Sequence, residues 1–297
     1  MKALYDWIEA RLGGANDVEA TRQLILRNVN VDLLTDEFET PLHITALSGS
    51  AEAAQMLIKA GANLNAKDKD WQMTPLHKAC SEERNEIVKL FLQAGANVEA
   101  KDSDEWTPLL AVAFTHGNVE TANLLLDAGA NIYARGETSE TPLHAASVKG
   151  NADLIKLLIE RGASIESTDV DGDTPLHVAA AHSLDSVKVL LEAGADIESR
   201  ANDGSTPLQK CCSHIGDASK WRIEIAKYLI DMGADPEAMD GRGLRATEVD
   251  VTGTVGRYVK SKLLEGKISE AFSDDEMNMD EGLNTSNQIS NSAGPSI

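Results

Sequence analysis

The chain has 297 residues, 48 of them acidic and 27 basic, for a net charge of −21. That imbalance argues against nucleic acid and anionic membrane surfaces as partners, since both are held by clustered Lys and Arg. Three cysteines (Cys80, Cys211 and Cys212) make no disulfide framework, and no run reaches the roughly 18 apolar residues of a membrane span. Asp6 and Glu9 interrupt the first apolar stretch, so it does not read as a secretory signal, and a soluble protein of the cytoplasm is expected, with the nucleus open.

In chain order, residues 1–35 read as an N-terminal cap. Leu4, Trp7, Ile8 and Leu12 share one helix face, and Val18, Leu24 and Ile25 follow as a second helix. One apolar and one polar face is what the end of a stacked array requires. Residues 36–239 then contain six copies of one unit. Thr40-Pro41-Leu42-His43 returns as Thr74-Pro75-Leu76-His77, Thr141-Pro142-Leu143-His144 and Thr174-Pro175-Leu176-His177. Two altered copies are Thr107-Pro108-Leu109-Leu110 and Thr206-Pro207-Leu208-Gln209, and the threonines are 34, 33, 34, 33 and 32 residues apart. Gly61-Ala62, Gly95-Ala96, Gly129-Ala130, Gly162-Ala163, Gly194-Ala195 and Gly233-Ala234 keep the same period.

The chemistry of each mark predicts its place. The six residues before each threonine form a hairpin tip. Threonine then caps a first helix, where its hydroxyl accepts a free backbone N–H, and proline falls at the first helical position. A longer second helix follows and ends in a left-handed glycine. The turn between helices departs from the pattern three times: Glu83-Arg84-Asn85 replaces the usual glycine, one extra residue lies near Phe114-Thr115-His116-Gly117, and an insertion at 212–221 separates the helices of the last unit. That insertion places the next threonine-equivalent at Arg245 and reads either as a tolerated surface loop or as a recognition element. Residues 240–266 form a C-terminal cap. Residues 267–297 are acidic, carry no Lys or Arg from Glu270 onward, and read as a disordered tail in which Ser273-Asp274-Asp275-Glu276 has the acidity some kinases prefer.

A period near 33 with a Thr-Pro-Leu-His core resembles the ankyrin-repeat family over roughly residues 1–266. The resemblance implies an all-α solenoid of stacked helix-turn-helix units with short hairpin tips. It also implies a non-catalytic interaction scaffold or adaptor whose protein partner lies on the concave face made by tips and first helices.

The candidate site follows from charge and aromatic placement. The six tips carry −3, −1, −2, −1, −3 and 0, a total of −10 and almost half the net charge. Such an edge draws a basic or amphipathic protein segment. Phe38, Trp71 and Trp106 lie in tips where polar residues are expected, beside Asp70, Asp104 and Glu105; Asp171 and Asp173 mark the most acidic later tip. Exposed indoles among carboxylates suit a cationic side chain, while the opposing reading is that the rings cover the adjacent hairpin. His182 and His214 each follow their threonine by eight residues, so they face the same way on adjacent units and join the candidate binding residues.

The motif histidines recur at the stacking distance of about 8–10 Å, too far apart to share a metal ion, and are expected to tie each tip to its neighbour. His182, His214 and Cys211 would make a loosely spaced metal or redox site at best. No nucleophile–base pair or phosphate loop emerges, so no enzyme activity, metal or cofactor is expected, and the sequence leaves the oligomeric state open. Cys80 and Cys212 align with Ala46, Ala113, Ser147 and Ala180, a row of small residues that points to close helix packing. A second functional reading is a targeting subunit that delivers a client to a larger assembly through the tail or the 212–221 loop.

Overall fold

The computed structural model describes residues 17–35, 39–115, 117–213, 220–249, 253 and 255–264. The helix expected around Leu4 and Trp7, Phe38, His214, most of the insertion and the tail beyond residue 264 lie outside these. Among the described residues the secondary structure is helix and turn, with one isolated bridge between Met239 and Arg245 and no strand.

Each unit obeys the rules read from its sequence. First helices start at proline, as in Pro41–Ser48, Pro75–Ser81 and Pro175–His182, behind a threonine in extended conformation. They carry a row of small buried residues: Ala46, Cys80, Ala113, Ser147, Ala180 and Cys212 are all 2% exposed or less. That row lets neighbouring first helices pack closely, and burial pushes the Cys80 thiol above its ordinary range. The motif leucines Leu42, Leu76, Leu109, Leu143, Leu176 and Leu208 are buried, each contributing about 1.5–3 kcal/mol. Second helices such as Ala152–Glu160 and Leu184–Glu192 turn one apolar face inward, and one core runs continuously from Leu42 to Val259. At the N-terminal end, helix Asp17–Leu26 contributes Ala20 and Leu24 to a separate small cluster with Ile44.

The turn between helices usually needs a left-handed residue. Gly49 and Gly150 supply it with φ of 85° and 77°, and Gly117 does so one residue later in the unit with the extra residue. In the second unit Glu83 adopts φ 54° at the same position, a conformation that costs a side-chain-bearing residue about 1 kcal/mol or more. In the last unit part of the added chain is helical. Helix Lys220–Asp231 is 12 residues long where the other second helices have nine, so part of the added chain lengthens a helix. Backbone hydrogen bonding within a helix satisfies added residues that a longer turn would leave to solvent.

The motif histidines link the units. His43 Nε2 lies 3.0 Å from Met73 O, His77 Nε2 3.1 Å from Trp106 O, His144 Nε2 2.9 Å from Asp173 O and His177 Nε2 3.0 Å from Ser205 O. A carbonyl only accepts, so Nε2 carries the proton. Nδ1 then accepts the N–H and hydroxyl of the capping threonine, as at Thr174, at 3.1 and 2.9 Å. Gln209 reproduces both halves: its Oε1 accepts Thr206 N–H at 2.8 Å, and its Nε2 donates to Leu244 O at 2.7 Å. Arg245 N–H donates to Glu248 at 2.8 Å, which confirms Arg245 as the next threonine-equivalent. Leu110 alone in the series has no polar end, and there Thr107 caps its own helix through Leu110 N–H at 3.4 Å.

Candidate protein-binding face

The hairpin tips are built from carboxylates as much as decorated by them. Asp68 Oδ1 accepts the N–H groups of Trp71 and Met73, Asp102 those of Asp104 and Trp106, and Asp169 those of Asp171 and Asp173. Asp240 repeats the pattern with Arg242 and Leu244. Asp68, Asp102 and Asp240 are accordingly buried. These side chains hold the turn and do not face solvent.

Other tip charges are answered internally. Lys78, on a first helix, bridges Glu39 at 3.1 Å and Asp68 at 3.0 Å; Lys210 meets Asp173 at 2.9 Å; Lys101 meets Glu105 at 2.8 Å. Burial pushes the Asp68 carboxyl up, but Lys78 and the Met73 N–H outweigh it and hold the group below the usual range. For Asp173, burial wins over Lys210 and the carboxyl sits above the usual range. The expectation that nearly half the net charge faces a partner is therefore too large. Among the described residues, Asp70, Asp104, Glu137 and Asp171 have no cationic partner, one on each of four consecutive tips. Glu137 was not among the sequence candidates, although an acid three or four residues before each threonine was the available signal.

The tips are joined by backbone. Ser103 N–H donates to Trp71 O at 2.8 Å, Glu137 N–H to Asp104 O at 3.1 Å, Val170 N–H to Thr138 O at 3.0 Å and Asn202 N–H to Asp171 O at 2.9 Å. This row places the four carboxylates without a cationic partner on successive, hydrogen-bonded tips.

The two indoles behave differently. Trp71 is 55% exposed. Trp106 is half-buried, its ring centroid 4.6 Å from that of Phe114 and its Nε1 donating to Glu140 of the next tip. The expectation of two outward indoles is corrected at Trp106, which covers the adjacent hairpin. Gly136 leaves room for it, since a Cβ there would come 2.7 Å from Trp106 Cδ1. Lys149 Nζ lies 4.0 Å above the Phe114 ring, so neighbouring first helices meet beside the Trp106 indole.

His182 is exposed at the end of its first helix, and Cys211 is buried with its Sγ 3.5 Å from Arg222 O. Among the described residues no group of three or more His, Cys, Asp and Glu side chains is arranged to hold a metal ion, and no helix is long and apolar enough to cross a membrane.

Stacked helix-turn-helix units joined through capping histidines and hairpin tips define a solenoid repeat protein. The profile of the family described as ankyrin repeats (3 copies) matches residues 9–102, 60–136, 110–201 and 168–240, and the chain belongs to the ankyrin-repeat family. Among solved structures it is similar to the ankyrin repeat domain of Bcl-3, a member of the IkappaB protein family, at 27% identity and a TM-score of 0.62, covering 75% of this chain and 98% of that one. It is also similar to the human ASB11 ankyrin repeat domain at 27% identity and a TM-score of 0.65, covering 74% and 96% respectively. No curated protein matches the sequence. Ankyrin repeats are protein–protein interaction modules, and the partner class this supports is protein.

Proposed function

We propose that the chain is a non-catalytic scaffold that holds a basic or amphipathic protein segment along its hairpin tips and first helices. The observation that carries this reading is the row Asp70, Asp104, Glu137 and Asp171, four carboxylates on consecutive tips without a cation, beside the exposed indole of Trp71. Unneutralised charge along successive tips raises the local concentration of a cationic segment, and an indole face adds contact area and a site for a cation. Carboxylates already engaged by Lys78, Lys101 and Lys210 contribute little to this attraction. A site of action in the cytoplasm, with the nucleus open, belongs to the same proposal.

The test is affinity capture on the purified full chain with a basic peptide library at two salt concentrations. Binding should weaken with moderate salt and fall on Trp71→Ala and on combined Asp104→Asn and Glu137→Gln. Retention of no basic ligand, or binding indifferent to salt and to these substitutions, overturns the reading.

A further inference from the structure

We infer that the capping histidines form an acid-sensitive latch in two blocks, one either side of a joint that carries no imidazole. The blocks are set by which units carry an imidazole. His43 and His77 join the first three units, and His144 and His177 join the later ones, whereas Leu110 and Gln209 occupy the same position without a titratable ring.

The geometry states what a proton would do. In each imidazole unit Nδ1 is the acceptor for the threonine N–H, at 3.2 Å for Thr40, Thr74 and Thr141 and 3.1 Å for Thr174. A proton on Nδ1 turns that acceptor into a donor, and the threonine hydroxyl can rotate to meet it, but the threonine N–H cannot. All four threonines are 4% exposed or less, so no water replaces the lost acceptor. Gln209 Oε1 accepts Thr206 N–H at 2.8 Å and does not titrate, and the Leu110 joint relies on the Trp106–Glu140 contact instead.

Groups packed around the rings act in both directions. Glu39, Asp68 and Lys78 face His43; Asp102, Lys67 and Asp68 face His77; Asp169, Arg135 and Asp173 face His144; Lys210 and Asp203 face His177. Burial dominates in all four, and each imidazole is held below its ordinary value of 6.5. A lowered value means that the folded state binds fewer protons than the unfolded chain. The latch is therefore fully closed above pH 6.5 and opens as the pH falls through the folded-state values.

Amide hydrogen exchange of the capping threonines in the full chain, followed stepwise from pH 7 downward for as long as Thr206 keeps its protection and corrected for intrinsic rates, reads this directly. Protection at Thr40, Thr74, Thr141 and Thr174 should drop by about ten-fold or more, since an acceptor is lost outright, while Thr206 keeps its protection. His77→Gln should make Thr74 behave like Thr206 and leave the other three acid-sensitive. Equal loss at all five threonines would show general acid unfolding and overturn the latch, as would no loss at the four. Neither result bears on the proposed partner binding, which rests on the tip carboxylates.

Discussion

Trp106 reaches across to Glu140 at the one joint where Leu110 leaves no imidazole rung. Phe114 supplies the wall behind the indole and Gly136 the space beneath it. Replacing Gly136 with Ala puts a Cβ 2.7 Å from Trp106 Cδ1. We expect Gly136→Ala to expose the indole, seen as a red shift in its emission, and to cost about 1–3 kcal/mol of stability in urea unfolding. Unchanged emission and midpoint would mean the contact is not made in solution.

The histidine rung has two separable parts, its polar ends and its bulk. Gln209 already makes both bonds of the rung in the last unit. His177→Gln should therefore stay within ~1 kcal/mol of the parent, because both buried partners keep a bond. His177→Ala leaves Thr174 N–H and Ser205 O unpaired and opens a void, for a loss of about 2–4 kcal/mol. Chemical denaturation of the two variants separates these outcomes.

Glu83 occupies a left-handed position that glycine fills in two of the other turns between helices. Relief of that backbone conformation exceeds the extra flexibility glycine gives the unfolded chain. The bond from Asn118 to Glu83 is exposed and adds little. Glu83→Gly should raise stability by ~0.5–1 kcal/mol, measured as a higher urea midpoint.

Lys210 is the cation facing Asp173, whose carboxyl already sits above the usual range because burial disfavours its charge. Lys210→Met removes the offsetting charge and raises that group further. A carboxyl raised in the folded state gives stability that is present below the unfolded value and lost as pH rises through the folded one. The variant should thus lose about 1–3 kcal/mol at pH 7 and recover part of it toward pH 5, read from denaturation at both values. A pH-independent loss would point to packing alone.

Much of the architecture was legible because its causes are local. A threonine before proline favours a helix start, Gly after an apolar run favours a helix end, and both marks recur at one period. The row of small residues that includes Cys80 and Cys212 was legible for the same reason, since close packing of identical units demands a small side chain in each copy. Even Arg245, stripped of the motif, was placed by counting, and its N–H bond to Glu248 agrees with that placement.

The binding face was less legible. Sequence counts every tip carboxylate alike, yet Asp68 and Asp102 build the turns while Asp70 and Asp104, two residues further on, stay unpaired by any cation among the described residues. Some of the deciding partners come from other units. Lys78 finds Glu39, and Lys210 finds Asp173, each more than a repeat length away along the chain. Trp106 turns inward because of Phe114 on its own first helix and Glu140 in the next tip, neither of which its neighbours in sequence announce.

The amino-acid sequence by itself thus determined the repeat, the starts of its first helices and the polar rungs between units, since short-range backbone preferences repeated at a constant period favour one way to stack. Only the tertiary structure decided which acidic groups remain available and which indole faces solvent. Those outcomes depend on charge pairs and ring contacts between units, and period and composition do not distinguish one tip from the next.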